Sequence, residues 1–186
     1  MSNLVNLTIN GTQVSVPSDY TILKASEVAG VDIPRLCFLE GIHEEGNCRV
    51  CVVKVEGQKG LKPACRTQVS DGMFITTNSK DVYNSVQTNL ELLAGNHKFE
   101  CWKCSRETNC EFLDLLRRFN VDNDYSNPDL FKHKDSMLND TSKAIVVDSS
   151  KCILCGRCVS ACEHYTGLGI LNFNRRGSQT YVGPAL

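Results

Sequence analysis

Hydrophobic and polar residues alternate in two short segments near the start of the chain, at residues 5–9 and 13–16. Asn10-Gly11 joins the segments, and both residue types tolerate the positive φ of a tight turn. Pro17 stops the second segment because proline cannot donate to a strand ladder. The pattern predicts a β-hairpin.

Helical spacing follows at residues 22–29, with Thr21 or Asp19 as the predicted N-cap and Gly30 just past the end. Further strands are predicted at residues 50–55 and 73–77, with a turn at 59–60. A hairpin, a helix and returning strands, with an irregular loop between them, indicate a small α+β sheet domain.

Two more helices are predicted beyond the sheet. Ser79 or Asp81 opens the first, in which apolar residues recur on one face, and Gly95-Asn96 ends it. Its face comprises Val82, Val86, Leu90 and Leu93. The second helix spans residues 111–119, with a buried stripe formed by Phe112, Leu115, Leu116 and Phe119.

Residues 121–143 are polar and without periodicity, and they predict a connector with one helical turn near Leu130 and Phe131. A short strand is predicted at residues 144–147. A final hairpin is expected where residues 170–173 and 180–182 flank a turn at 175–178.

Composition excludes several classes of function. Twenty basic and twenty-one acidic residues give a net charge of −1, so no basic surface favours nucleic acid. No segment approaches the roughly 20 apolar residues that cross a bilayer. The N-terminus lacks the pattern of a secretory signal, so a cytoplasmic protein is expected.

Eleven cysteines in 186 residues form three groups, and a histidine joins the middle one. A reducing compartment and an odd cysteine count disfavour disulfides, so metal ligation is the better explanation. The groups are Cys37, Cys48, Cys51 and Cys65; His97, Cys101, Cys104 and Cys110; and Cys152, Cys155, Cys158 and Cys162.

The spacing of each group indicates a type of cluster. The loop of the first group suits a [2Fe-2S] core, which needs converging thiolates and backbone amides aimed at its sulfurs. The third group has the Cys-x2-Cys-x2-Cys-x3-Cys spacing of bacterial ferredoxins, in which the fourth cysteine reaches a neighbouring cluster. Glu163 replaces the usual proline and no second motif follows. Cys162 therefore closes its own cluster, reaches a partner's site or lacks a cluster. A zinc site is the alternative for the Cys-x2-Cys pairs.

His97 directly follows a predicted helix end and precedes Cys101 by three intervening residues, so we expect it to be a cluster ligand. An imidazole in place of a thiolate leaves the cluster less negative and raises its reduction potential. His43, His133 and His164 have no such setting and are predicted to be exposed.

Three stretches carry a family resemblance: residues 45–51, 63–66 and 151–158. With the order of the three groups, they resemble the N-terminal iron–sulfur module of several redox proteins. These are the large iron–sulfur subunit of respiratory NADH dehydrogenase, iron-only hydrogenases and NAD-dependent formate dehydrogenase alpha subunits. The small diaphorase subunit of NAD-reducing hydrogenases is similar too.

The resemblance implies a β-grasp [2Fe-2S] domain at residues 1–78 and a helical [4Fe-4S] module with one histidine and three cysteines at 79–120. A connector at 121–143 and a partial ferredoxin-type [4Fe-4S] module at 144–186 would follow. The twelve side chains of the three groups would be the ligands. No self-contained active site, flavin site or nucleotide-binding turn is identified.

The function implied is that of an electron-transfer subunit in a hetero-oligomer. It would relay single electrons between a flavin/NAD(P)H-binding subunit and a further redox subunit of a hydrogenase, formate dehydrogenase or electron-bifurcating complex. Two alternatives stay open. One is the N-terminal part of a longer catalytic hydrogenase-like chain, and the other is a zinc-stabilised interaction module.

Overall fold

The computed structural model describes residues 3–121, 138–139 and 147–184. They divide into two compact units, one of Met1–Phe38 and Glu44–Asn89 and the other of Leu39–His43 and Leu90–Leu186. The short segment Leu39–His43 thus groups with residues far along the chain. The predicted helical turn near Leu130 and the residue His133 lie outside the described residues.

The first unit is a five-stranded mixed sheet in the order β2-β1-β5-β3-β4. Strands β1 and β5 are parallel, and the other neighbours are antiparallel. The strands are β1 (Leu4–Ile9), β2 (Thr12–Pro17), β3 (Val52–Val55), β4 (Leu61–Pro63) and β5 (Phe74–Thr76). The predicted α+β, β-grasp fold is confirmed.

The N-terminal hairpin forms as predicted. Asn10 and Gly11 adopt φ values of 50° and 86°, and Ile9 pairs with Thr12 across the turn. Helix α1 (Ile22–Val28) begins at Thr21, whose side chain accepts a hydrogen bond from the Lys24 N–H. Thr21, and not Asp19, is therefore the cap.

The core of this unit lies between α1 and the sheet. Ile22, Leu23 and Ala25 of the helix are fully buried and belong to one hydrophobic cluster with residues of β1, β3 and β5. Because burial of a large aliphatic side chain contributes about 1.5–3 kcal/mol, this layer supplies most of the sheet's stability. Cys51 and Cys65 are members of the same cluster.

Helix α2 (Lys80–Ala94) buries one face, as predicted, although Ala94 is buried where Leu93 is only partly covered. Helix α3 (Glu111–Arg118) buries Phe112, Leu113, Leu115 and Leu116. No described helix is long and apolar enough to cross a membrane.

The last part of the chain contains two small hairpins and one helix. Strand β6 (Leu138–Asn139) pairs with β7 (Val147–Asp148), which gives part of the predicted connector a strand. Helix α4 (Arg157–Thr166) precedes the hairpin of β8 (Leu171–Asn174) and β9 (Tyr181–Pro184), which the sequence predicted.

Candidate metal centres

All eleven cysteines carry free thiols, and the first group converges on one position. The Sγ atoms of Cys51 and Cys65 lie 3.3 Å apart. A hydrogen bond between Cys37 and Cys48 lowers the pKa of Cys48 to about 5, although burial opposes this shift. The pKa of Cys65 is raised by its hydrogen bond with Cys51, by burial and by the charges of the other three thiols. Each thiol is therefore within electrostatic reach of the others.

The backbone around the first group turns sharply. Gly46 has a φ of 69°, and a Cβ there would lie 3.1 Å from Arg66 Cγ and 3.6 Å from Cys65 Sγ. The expectation that a glycine near Cys48 permits a close approach is confirmed at this position. Arg49 also has a positive φ, 53°, which costs a non-glycine residue about 1–3 kcal/mol.

The middle group lies between α2 and α3, where two 3₁₀ turns, Cys101–Lys103 and Glu107–Asn109, carry the chain. The His97 ring packs edge-on against Phe99 at 4.9 Å and against Phe112 at 5.4 Å. Because Phe112 is buried in α3, these contacts fix the orientation of the imidazole.

Cys110 is both a predicted ligand and the N-cap of α3. Its Sγ accepts a hydrogen bond from the Leu113 N–H at 3.4 Å. A helix N-terminus favours negative charge, so it stabilises a thiolate at this position.

The third group is built on a loop that ends at α4. The thiol of Cys152 accepts a hydrogen bond from the Leu154 N–H at 3.4 Å. Burial raises the pKa of Cys155, and the charge and backbone N–H of Arg157 partly oppose the shift. Burial and the charges of Cys152 and Cys155 raise the pKa of Cys158. These three thiols therefore act on one another.

Cys162 has a different environment. The backbone N–H groups of Leu171 and Ile170 and the hydroxyl of Thr166 lower its pKa. The Sγ lies 3.8 Å from Thr166 Oγ1. Amides of the chain entering β8 thus surround the fourth thiol, and no influence of the other three cysteines on it stands out among the described residues.

The first and third groups share an unpredicted feature of the backbone. Leu154 lies between Cys152 and Cys155 with a φ of 55°, as Arg49 lies between Cys48 and Cys51. Successive residues of opposite backbone hand turn their N–H groups into one concavity, which is the arrangement that receives anions and iron–sulfur clusters. Strained residues of this kind concentrate at functional sites. The loops therefore fit a negatively charged cluster.

An ion pair connects the elements of the second and third groups. Arg157 Nη1 lies 2.9 Å from Glu111 Oε2, and these residues directly adjoin Cys158 and Cys110. Within the described residues, no three or more histidine, cysteine or acidic side chains are arranged to hold a single metal ion.

One of the histidines predicted to be exposed is buried. His43 is only 3% exposed, because its ring packs against Gly156, and its Nδ1 lies 2.7 Å from Ser160 Oγ. The prediction failed because an isolated histidine in a loop has no periodicity that reveals a distant partner. His164 is exposed, as predicted.

Comparisons with known protein families agree with three iron–sulfur domains. Residues 2–80 match the 2Fe-2S iron-sulfur cluster binding domain, and residues 87–124 match the NADH-ubiquinone oxidoreductase-G iron-sulfur binding region. Residues 144–167 match a 4Fe-4S binding domain. The predicted [2Fe-2S] and [4Fe-4S] cofactors are confirmed at the level of these domains.

Similar proteins are redox enzymes. Iron hydrogenase 1 of Clostridium pasteurianum is 40% identical over 94% of this chain and 30% of its own length. The NADP-reducing hydrogenase subunit HndD of Solidesulfovibrio fructosivorans is 37% identical over 98% and 32%. The G 2 subunit of NADH-quinone oxidoreductase from Rhizobium meliloti is 31% identical over 96% and 21%. The chain spans about a third or less of these relatives.

A crystal structure of an NAD+-reducing [NiFe]-hydrogenase in the H2-reduced state shares the fold. The TM-score is 0.83 at 24% identity, over 96% of this chain and 74% of that one. The class is thus an iron–sulfur protein of the electron-transfer type. More particularly, the chain carries the iron–sulfur module that iron hydrogenases, HndD and the G subunits of NADH dehydrogenase share.

Proposed function

We propose that the chain is an electron-transfer subunit that relays single electrons between a flavin/NAD(P)H-oxidising subunit and another redox centre. The observation that carries this proposal is the convergence of free thiols on loops whose backbone N–H groups point at sulfur. Bound clusters supply the one-electron chemistry there. The chain's own residues hold, orient and shield them.

The proposed ligands follow the three groups. The first group would hold the [2Fe-2S] cluster, since its four thiols already influence one another. The second would hold a [4Fe-4S] cluster with one imidazole ligand. These ligands are Cys37, Cys48, Cys51 and Cys65, and His97, Cys101, Cys104 and Cys110.

For the third [4Fe-4S] cluster we propose Cys152, Cys155 and Cys158 as ligands. Cys162 was also predicted as a ligand, but its thiol lies among the amides of Ile170 and Leu171. We therefore propose that Cys162 does not close this cluster and that its fourth iron takes a ligand from elsewhere.

We also propose the division into a [2Fe-2S] domain at residues 1–78, a module of one histidine and three cysteines at 79–120, a connector at 121–143 and a partial ferredoxin module at 144–186. The subunit would act in a cytoplasmic hetero-oligomer of the hydrogenase, formate dehydrogenase or electron-bifurcating type. Support comes from the relatives, two of which are named as subunits of such oxidoreductases.

The test is anaerobic purification from the native source, followed by iron, sulfide and zinc analysis and EPR after reduction. We expect about ten irons per chain, from one two-iron and two four-iron clusters. We also expect partner subunits to co-purify and NAD(P)H to reduce the clusters in the complex. A colourless protein that contains zinc and little iron would refute the proposal in favour of the zinc-stabilised module.

One alternative has a specific observation in its favour. The chain covers only 30% of Iron hydrogenase 1, so it also matches the N-terminal part of a longer catalytic chain. The mass of the native polypeptide decides between the two, because a catalytic chain would be several times heavier than 20.6 kDa.

A further inference from the structure

His43 stands on a rigid turn whose backbone groups are satisfied locally. The His43 N–H donates to the Leu39 carbonyl at 2.7 Å, and the Leu39 N–H donates to the His43 carbonyl at 2.8 Å. Gly41 has a φ of 69°, which allows the chain to close this turn. In sequence the turn lies between Cys37 and Cys48, but it packs with the second unit. The imidazole is therefore presented from a fixed backbone.

The imidazole contacts the part of the third group that carries two of the proposed ligands. Its Nδ1 lies 2.7 Å from Ser160 Oγ in α4. Gly156 is buried between Cys155 and Cys158, and a Cβ there would lie 2.8 Å from His43 Cε1 and 3.1 Å from Nε2. The ring thus occupies the space that any other residue at position 156 would need.

The turn beneath the ring provides the N–H groups that point at the thiols. Gly156 is the N-cap of α4 with a φ of 83°, and its carbonyl accepts the Ser160 N–H at 3.1 Å. The Arg157 N–H acts on Cys155. Because hydrogen bonds to sulfur and exclusion of water set the potential of a cluster, a residue that fixes this turn affects the potential.

We propose that His43 is a positioning residue of the third cysteine group, which holds the Cys155–Cys158 turn and thereby sets the reduction potential of the cluster bound there. The inference rests on the proposed binding of a cluster by this group. It assigns a role to a residue that the first cysteine group contributes by sequence and the third uses in space.

The test is an EPR-monitored redox titration of the anaerobic holoprotein and its variants. His43→Leu keeps the apolar bulk that excludes water but removes the hydrogen bond. We expect the equilibrium constant for reduction of the third cluster to fall about tenfold, equivalent to about 59 mV for one electron. The other two clusters in the same sample should keep their potentials. His43→Asn, whose side-chain amide can still reach Ser160, should restore most of the value.

Two further variants make the result decisive. Ser160→Ala removes the partner hydroxyl and should lower the potential as His43→Leu does, and the double variant should add little. His164→Leu is the control, since it makes the same change at an exposed position of α4. If His43→Leu does not fold, Ser160→Ala carries the test.

Equal third-cluster potentials in wild type, His43→Leu and Ser160→Ala would overturn the inference. A rise in potential, a common shift of all three clusters, or an asparagine variant that behaves as leucine does would also overturn it. Wild-type protein that carries only the first two clusters is a distinct result. It would refute the proposed role of the third group itself, and the His43 inference would fall with it.

Discussion

Replacing Gly156 by alanine tests the packing of His43 on the third cysteine group through stability instead of potential. The new methyl group would meet His43 Cε1 at 2.8 Å, and the ring cannot retreat because its turn is hydrogen-bonded at both ends. Overpacking of this kind costs about 1–3 kcal/mol. The left-handed φ of 83° adds about 1–2 kcal/mol for a residue with a side chain. The total is about 2–5 kcal/mol.

The assay is hydrogen exchange of the α4 backbone amides in the anaerobic holoprotein, followed by mass spectrometry. Local opening free energies appear there as protection factors, and each 1.4 kcal/mol changes protection about tenfold. Gly156→Ala should therefore lower protection of α4 by about 30-fold or more. Amides of β1 serve as the internal reference and should keep their protection.

Gly167→Ala is the matched control at the other end of α4. Gly167 also has a positive φ, 64°, but an added Cβ would meet nothing within 4 Å. Its cost is only the backbone term, about 1–2 kcal/mol. In a His43→Ala background, Gly156→Ala should cost no more than Gly167→Ala. Equal effects of the two glycine substitutions in the wild-type background would refute the steric argument.

Three further predictions concern the cluster ligands and their neighbours. His97→Cys should retain the middle cluster but lower its potential by on the order of 100 mV, and an unchanged titration would argue against ligation by His97. Cys162→Ser should keep the iron content and EPR signal of the third cluster, so loss of about four irons per chain would show that Cys162 closes it. Arg157→Gln removes the positive charge beside Cys155 and should lower the third cluster's potential. Glu111→Gln leaves that charge in place and should change the potential less, and the reverse order would contradict this account. Because the ion pair is partly exposed, either variant should cost less than about 1 kcal/mol of stability by urea unfolding.

Elements with a strong local pattern were predictable from the sequence. The Asn10-Gly11 hairpin needs only alternation and two residues that tolerate positive φ, and both were legible. The buried face of α2 follows from helical spacing. Strand β4 was missed because it has three residues and ends at Pro63, so it offers no alternation to detect. Strand β6 was missed because two residues have no period at all.

Within the candidate sites, composition and spacing predicted which side chains carry the chemistry but not how the backbone presents them. The left-handed conformations of Arg49 and Leu154 have no sequence signal, since neither residue type favours that region. They follow from tertiary demands of the loops. The burial of His43 depends on contacts with residues more than a hundred positions away, which a local pattern does not encode.

Cys110 gives α3 a dependence on metal that other helices of the chain do not share in the described part. A helix of eight residues is too short to be stable by itself in water, so its N-terminal cap matters. Chelating the iron would return a proton to that sulfur and weaken the cap, and the same event would release the apolar stripe beneath it. Circular dichroism during anaerobic chelation would then record uncoiling of α3 in step with bleaching. The helix serves as an internal gauge of whether its centre is filled.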